Sequence, residues 1–89
     1  GFCVPAVEAM SMSIPVVAIG AGAIAETVGD AGLVWDTGEP DVLAASIKRL
    51  VCDKKLSEEL GQRGRRRFVS AFSAAAVDTV FSRIIGEVP

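Results

Sequence analysis

Two short apolar runs, PVVAI at 15–19 and GLVW at 32–35, set the strongest limit on how this chain can fold. Both are of strand length and bounded by Pro, Gly or a polar residue, the mark of strands buried on both faces. Between them Gly20 to Gly22 turns the chain, and AIAETV at 23–28 makes a short helix closed by Gly29 and Asp30. Strand, helix and strand in that order predict an α/β architecture with a parallel sheet. Two strands do not make a self-sufficient parallel sheet, because both faces and both edges need cover. Further strands are therefore expected upstream of Gly1. The chain also opens without Met, inside what reads as a loop, so residues 1–89 are expected to be a single partial domain of something longer.

The rest is helical. Pro5 suits the first position of a short, almost wholly apolar helix over Ala6 to Met12, which Pro15 cannot continue. In 41–53, Leu43, Ile47, Leu50 and Val51 form one apolar stripe. A second long helix begins around Leu56 and Leu60 and runs through RGRRRF to about Val69. Ser73 is the expected N-cap of the last helix, where Val77, Phe81, Ile84 and Val88 make an apolar face. That face is expected to pack back across the sheet or toward an upstream domain. The fold class is thus α/β: a partial, doubly wound (Rossmann-like) parallel sheet with a helix-rich C-terminal half.

Charge and composition narrow the function. Residues 1–47 carry six acids and no base, whereas 48–89 hold nine bases and five acids, so the halves stand at −6 and +4. An acidic half repels phosphate, which argues against nucleic acid as a partner. The basic half is compatible with association of a full enzyme with an acidic membrane surface. No apolar run reaches the roughly 18 residues of a membrane span, and no basic n-region marks a secretory signal. Cys3 and Cys52, with no His in the chain, are too few for a zinc site or a disulfide framework. A reduced, cytoplasmic setting is expected, with Cys52 a small core residue.

Glu8 is the one charged residue in the first 25 positions, set in GFCVPAVEAMSMSIPVVAI. A carboxylate among apolar residues is costly unless it is paired, hydrogen-bonded or facing a ligand. No base lies near it in sequence. It is expected to be a hydrogen-bond acceptor whose partner comes from elsewhere; the plainer alternative is a core carboxylate paired with a base of 48–67 or of an upstream segment. A binding role fails if the carboxylate is neutralised by an internal arginine or lysine with no opening to solvent beside the turn.

In spacing, the chain resembles the retaining nucleotide-sugar glycosyltransferases of the GT-B fold, whose C-terminal domain carries a Glu-x7-Glu motif written roughly E-G-F-G/C-x-P-x-x-E-A-M. Gly1, Phe2, Cys3, Val4 and Pro5, then Glu8, Ala9 and Met10, match all of it but the first Glu, which would stand just before Gly1. A following G-x-P-V-V-A segment is matched from Ser13 to Ala18, with Ser13 for the usual Gly. A further stretch is matched from Gly22 to Val34, with Ala25 where Pro is common, and the resemblance extends to the helical tail. It implies that Glu8 accepts hydrogen bonds from the donor's ribose hydroxyls, and that Gly1 and the backbone N–H groups of Phe2, Cys3 and Val4 meet its sugar and diphosphate. A turn feeding a helix N-terminus does present unsatisfied N–H donors to an anion. The implied protein is a glycosyltransferase of hexosyltransferase type that moves a sugar from a UDP-, GDP- or ADP-linked donor to an acceptor hydroxyl with retention. The nucleotide sugar is substrate and no cofactor is implied. The acceptor would be held by a missing N-terminal domain, so these 89 residues alone are expected to be inactive.

Other patterns compete. PVVAIGAGAIA followed by Asp36 has the outline of a dinucleotide fingerprint, which would make the chain part of an NAD-type oxidoreductase. That fingerprint opens a long crossover helix, whereas here Gly29 and Gly32 stop the helix after under two turns. Glu26 and Thr27, beside this turn, are candidates for a site's rim. The run Arg63, Arg65, Arg66 and Arg67 reads as a solvated helix face. A non-catalytic nucleotide- or partner-binding module is the remaining alternative.

Overall fold

The computed structural model describes residues 4–20, 22–36, 38–72 and 74–86. Helix α1 spans Val4–Ser11, strand β1 Val16–Ile19, helix α2 Ala23–Val28 and strand β2 Gly32–Trp35. Helices α3 (Pro40–Cys52), α4 (Lys54–Ala71) and α5 (Ala74–Gly86) follow. β1 and β2 pair in parallel with Val16 opposite Gly32 and Ile19 opposite Trp35, and the Gly20 amide extends the ladder to the Trp35 carbonyl at 2.8 Å. Parallel neighbours need a crossover, which α2 supplies. The expected α/β organisation with a parallel sheet is present; among the described residues the sheet has two strands, and a doubly wound order is not displayed.

The apolar centre lies on α1 rather than on the sheet. Val7 and Met10 of α1 are fully buried against Phe68 of α4, Val80 of α5 and Ala31, with Val4, Val16, Phe72, Val77 and Ile84 around them. Helix α1 is apolar on nearly all sides because it is enclosed on nearly all sides. Close approach of α4 to α1 depends on Gly61 and Gly64, both buried. A Cβ at Gly61 would lie 2.2 Å from the Ser13 carbonyl oxygen, and one at Gly64 would lie 3.3 Å from Met10 Cα. Asp53 ends α3 and caps α4, accepting from the Leu56 amide at 3.0 Å, and Ser57 Oγ donates back to the Leu50 carbonyl at 2.5 Å.

Beyond α1 the backbone turns through Ser13, whose φ of 59° is in the left-handed region, while Ile14 N–H bonds back to the Ala9 carbonyl at 2.9 Å. Such a residue after a helix end is ordinarily Gly, because a Cβ there is strained. Ser13→Gly is expected to stabilise the full-length protein by about 0.5–1 kcal/mol, the relieved strain exceeding the extra chain entropy of Gly. A chemical-denaturation midpoint that stays level or falls would contradict this.

Three expectations about packing are corrected. Cys52 is exposed and is not a core residue. In α3 the stripe is rotated: Ile47 and Val51 are exposed, while Leu43 and Leu50 are half-buried and Ser46 is buried. The buried position Ser46 accepts the Trp35 indole N–H at 2.8 Å, and α3 packs on α4 and β1. In α5 the inward line is Val77, Val80 and Ile84, with Phe81 exposed, because α5 packs on α1 and not across the sheet. Ser73 and Val88 lie outside the described residues.

Candidate functional site

The candidate site is built on α1. Its N-terminal residues are Val4 and Pro5, and Glu8 sits one turn further on, with a side chain 14% exposed. Val4 is half-buried beside the core. Gly1, Phe2 and Cys3 lie outside the described residues. The helix places Glu8 between the buried positions Val7 and Met10, on the edge of the enclosed face. Its backbone carbonyl accepts from Ser11 Oγ at 2.7 Å.

Glu8 has an ionic partner from a distant element of the chain. Arg83, 75 positions away on α5, brings Nε to 2.7 Å from Glu8 Oε1, so the carboxylate has an internal counter-charge. The base comes neither from 48–67 nor from an upstream segment. The contact is an ion pair by distance but is not aligned as a hydrogen bond: Oε1 is sealed from solvent and has no directed donor among the described residues. The opening is small but present, and because Oε1 is sealed, the 14% exposure belongs to other atoms of the side chain. A carboxylate has about four acceptor directions, so one ion pair does not exhaust it. Arg83 was readable only in hindsight: it stands three residues after Val80, on the rim of the face that α5 buries.

The arginine run of α4 is a largely solvated face, as expected, that also holds main-chain carbonyls of neighbouring helices. Arg65 Nη1 donates to the Ser11 carbonyl at 2.7 Å and its guanidinium lies over the Phe68 ring. Arg67 donates through Nε to the Thr27 carbonyl at 2.8 Å and through Nη2 to the Glu26 carbonyl. These are the last carbonyls of α1 and α2, which lack helical partners and attract cations. Arg63 pairs with Glu59 at 3.0 Å and reaches the Asp30 carbonyl at 3.4 Å. Arg65 and Arg66, the latter 3.9 Å from Glu59, are exposed as a solvated face requires, whereas Arg63 and Arg67 are half-buried. Arg63, Arg66 and Arg67 line an open groove of about 370 Å³ with Asp30 and Ser70. Thr27 is buried, so it does not line a rim, while Glu26 is exposed with its carbonyl held by Arg67.

Helix α2 has six residues and ends at Gly29, with φ of 57°. The long crossover helix on which a dinucleotide fingerprint depends is not there. Among the described residues no group of three or more Cys, Asp or Glu is placed to hold a metal ion, and no helix is long and apolar enough to cross a membrane.

Comparison with known proteins bears on this geometry directly. An MMP alpha-(1->4)-mannosyltransferase of Mycolicibacterium hassiacum is 39% identical over 99% of this chain and 23% of its own length. The O-antigen chain mannosyltransferase B of Escherichia coli is 41% identical over 72% of this chain and 17% of its own. An alpha-1,3/1,6-mannosyltransferase of Rhizomucor pusillus is 36% identical over 84% of this chain and 17% of its own. The chain thus spans about a fifth of the length of these relatives. No solved structure matches it. Residues 1–67 match the family model for glycosyl transferases group 1, a stretch that holds α1 with Glu8, the β1–α2–β2 unit and the arginine clamps of α4. The chain belongs to the glycosyl transferases group 1 family.

Proposed function

We propose that the chain is the donor-binding part of a longer, retaining nucleotide-sugar glycosyltransferase with two Rossmann-like domains, the GT-B arrangement. The family match over residues 1–67 carries this reading, because it spans the α1 turn and Glu8 together. In this reading the donor diphosphate lies at the N-terminal end of α1, where backbone N–H groups and the helix dipole favour negative charge. Gly1, Phe2, Cys3 and Val4 are the residues assigned to the diphosphate, the first three lying outside the described residues. Glu8, one helical turn along, accepts the ribose hydroxyls. The reaction needs the leaving diphosphate to be stabilised more than it needs a protein nucleophile, so fixed dipoles and charges aimed at the phosphates do the chemistry. The missing N-terminal domain brings the acceptor hydroxyl, and the parallel β1–α2–β2 unit continues into a larger doubly wound sheet. Three relatives named as mannosyltransferases favour a hexose, mannose first, as the sugar transferred.

Calorimetric titration of the full-length protein with UDP, GDP and ADP tests this reading. One of them is expected to bind clearly more tightly than the others, and its mannose or glucose conjugate to support transfer to an acceptor alcohol with the anomeric configuration kept. Binding of NAD in place of all three would favour the dinucleotide reading; binding of none would refute donor recognition by this chain.

A further inference from the structure

We propose that Arg83 is a positioning residue for the donor site: it anchors the Glu8 carboxylate through one oxygen and leaves the other acceptor positions to the hydroxyls of the bound nucleotide. The inference rests on the assignment of Glu8 to the donor ribose made above. It starts from the state of the carboxylate. Oε1 is sealed and faces Arg83 Nε at 2.7 Å, whereas the exposed part of the side chain lies elsewhere. Around Glu8 stand Val7, Met10, Val80 and the rest of the core, an environment in which an unpaired carboxylate is expensive. Arg83 therefore sets both the charge and the orientation of the group. Its own side chain is 49% exposed, so the guanidinium stays partly hydrated while it does so.

The arrangement separates two tasks. Val80, fully buried, and Ile84 dock α5 on α1 through apolar contact. Arg83, between them in sequence, adds a charge at the edge of that contact, aimed at the one acid of α1. A base serving to block the site would enclose the side chain, which keeps 14% exposure beyond the sealed Oε1.

The test is calorimetric titration of the full-length enzyme and its variants with UDP, GDP and ADP in turn, each variant also melted without ligand. Arg83→Gln is expected to weaken the nucleotide bound best by about fivefold, the coupling typical of residues in contact. Arg83→Lys, which keeps the charge but not the planar Nε, recovers part of the loss. In a Glu8→Gln background, Arg83→Gln has no further effect on affinity. Val80→Ala, which loosens α5 without touching the pair, lowers the melting temperature and changes affinity by less than about twofold. Unchanged or tighter binding in Arg83→Gln, an equal loss in the Glu8→Gln background, or the same loss in Val80→Ala overturns the proposal while leaving Glu8 in place. Unchanged affinity in Glu8→Gln alone overturns the donor assignment and this inference with it.

Discussion

Glu8→Ala in the full-length enzyme weakens binding of the nucleotide-sugar donor about tenfold or more, a loss of about 1.4 kcal/mol at the least. A carboxylate accepting hydroxyl hydrogen bonds contributes about 1.5–3 kcal/mol for each charge-assisted bond, and in a site largely shut off from water little solvent replaces it. Part of that gain is returned, because the ribose leaves its own hydration and the truncated helix no longer has to hold a mostly buried charge. On the proposed two-domain arrangement, the loss should appear in donor affinity and in KM, with the acceptor's KM unaltered. The isosteric Glu8→Gln serves as the control for folding: it keeps the volume beside Val7 and Met10 and removes the charge that Arg83 neutralises. Donor affinity that does not change in the Ala variant, measured by calorimetry on protein of normal melting temperature, refutes the assignment of Glu8.

Much of this arrangement was legible in the residues. The strand runs bounded by Pro and Gly, and the helix closed by Gly29, fall where β1, α2 and β2 are, because apolar runs of that length between such breakers have few alternatives. Glu8 stood out as a lone charge and proved to be mostly buried. What could not be read were contacts between elements distant in sequence. In sequence Arg83 is only a basic residue in the last turn of a helix, and its partner is identifiable only once α5 is known to lie on α1. The arginines of α4 read as a solvated face and largely are one, but their acceptors are main-chain carbonyls of α1 and α2, and a carbonyl has no signature in sequence. Period alone also misjudged α3 and α5. Both have apolar residues to spare, and the buried line lies where α3 meets α4 and β1 in one case and where α5 meets α1 in the other.

Gly61→Ala is expected to destabilise the full-length protein by about 1–3 kcal/mol, although Ala is the better helix former by about 1 kcal/mol. The added Cβ would lie 2.2 Å from the Ser13 carbonyl oxygen, a main-chain atom that cannot rotate aside. The conflict is relieved only if α4 moves off α1, and that movement opens the packing of Phe68 against Val7 and Met10. Gly64→Ala is the internal comparison: its Cβ would be 3.3 Å from Met10 Cα and from the flexible Met10 side chain, so propensity and crowding nearly cancel and the midpoint of unfolding moves by less than about 1 kcal/mol. The ordering is the decisive result, and equal effects at the two glycines would mean that helix propensity, not the α1–α4 crossing, governs both.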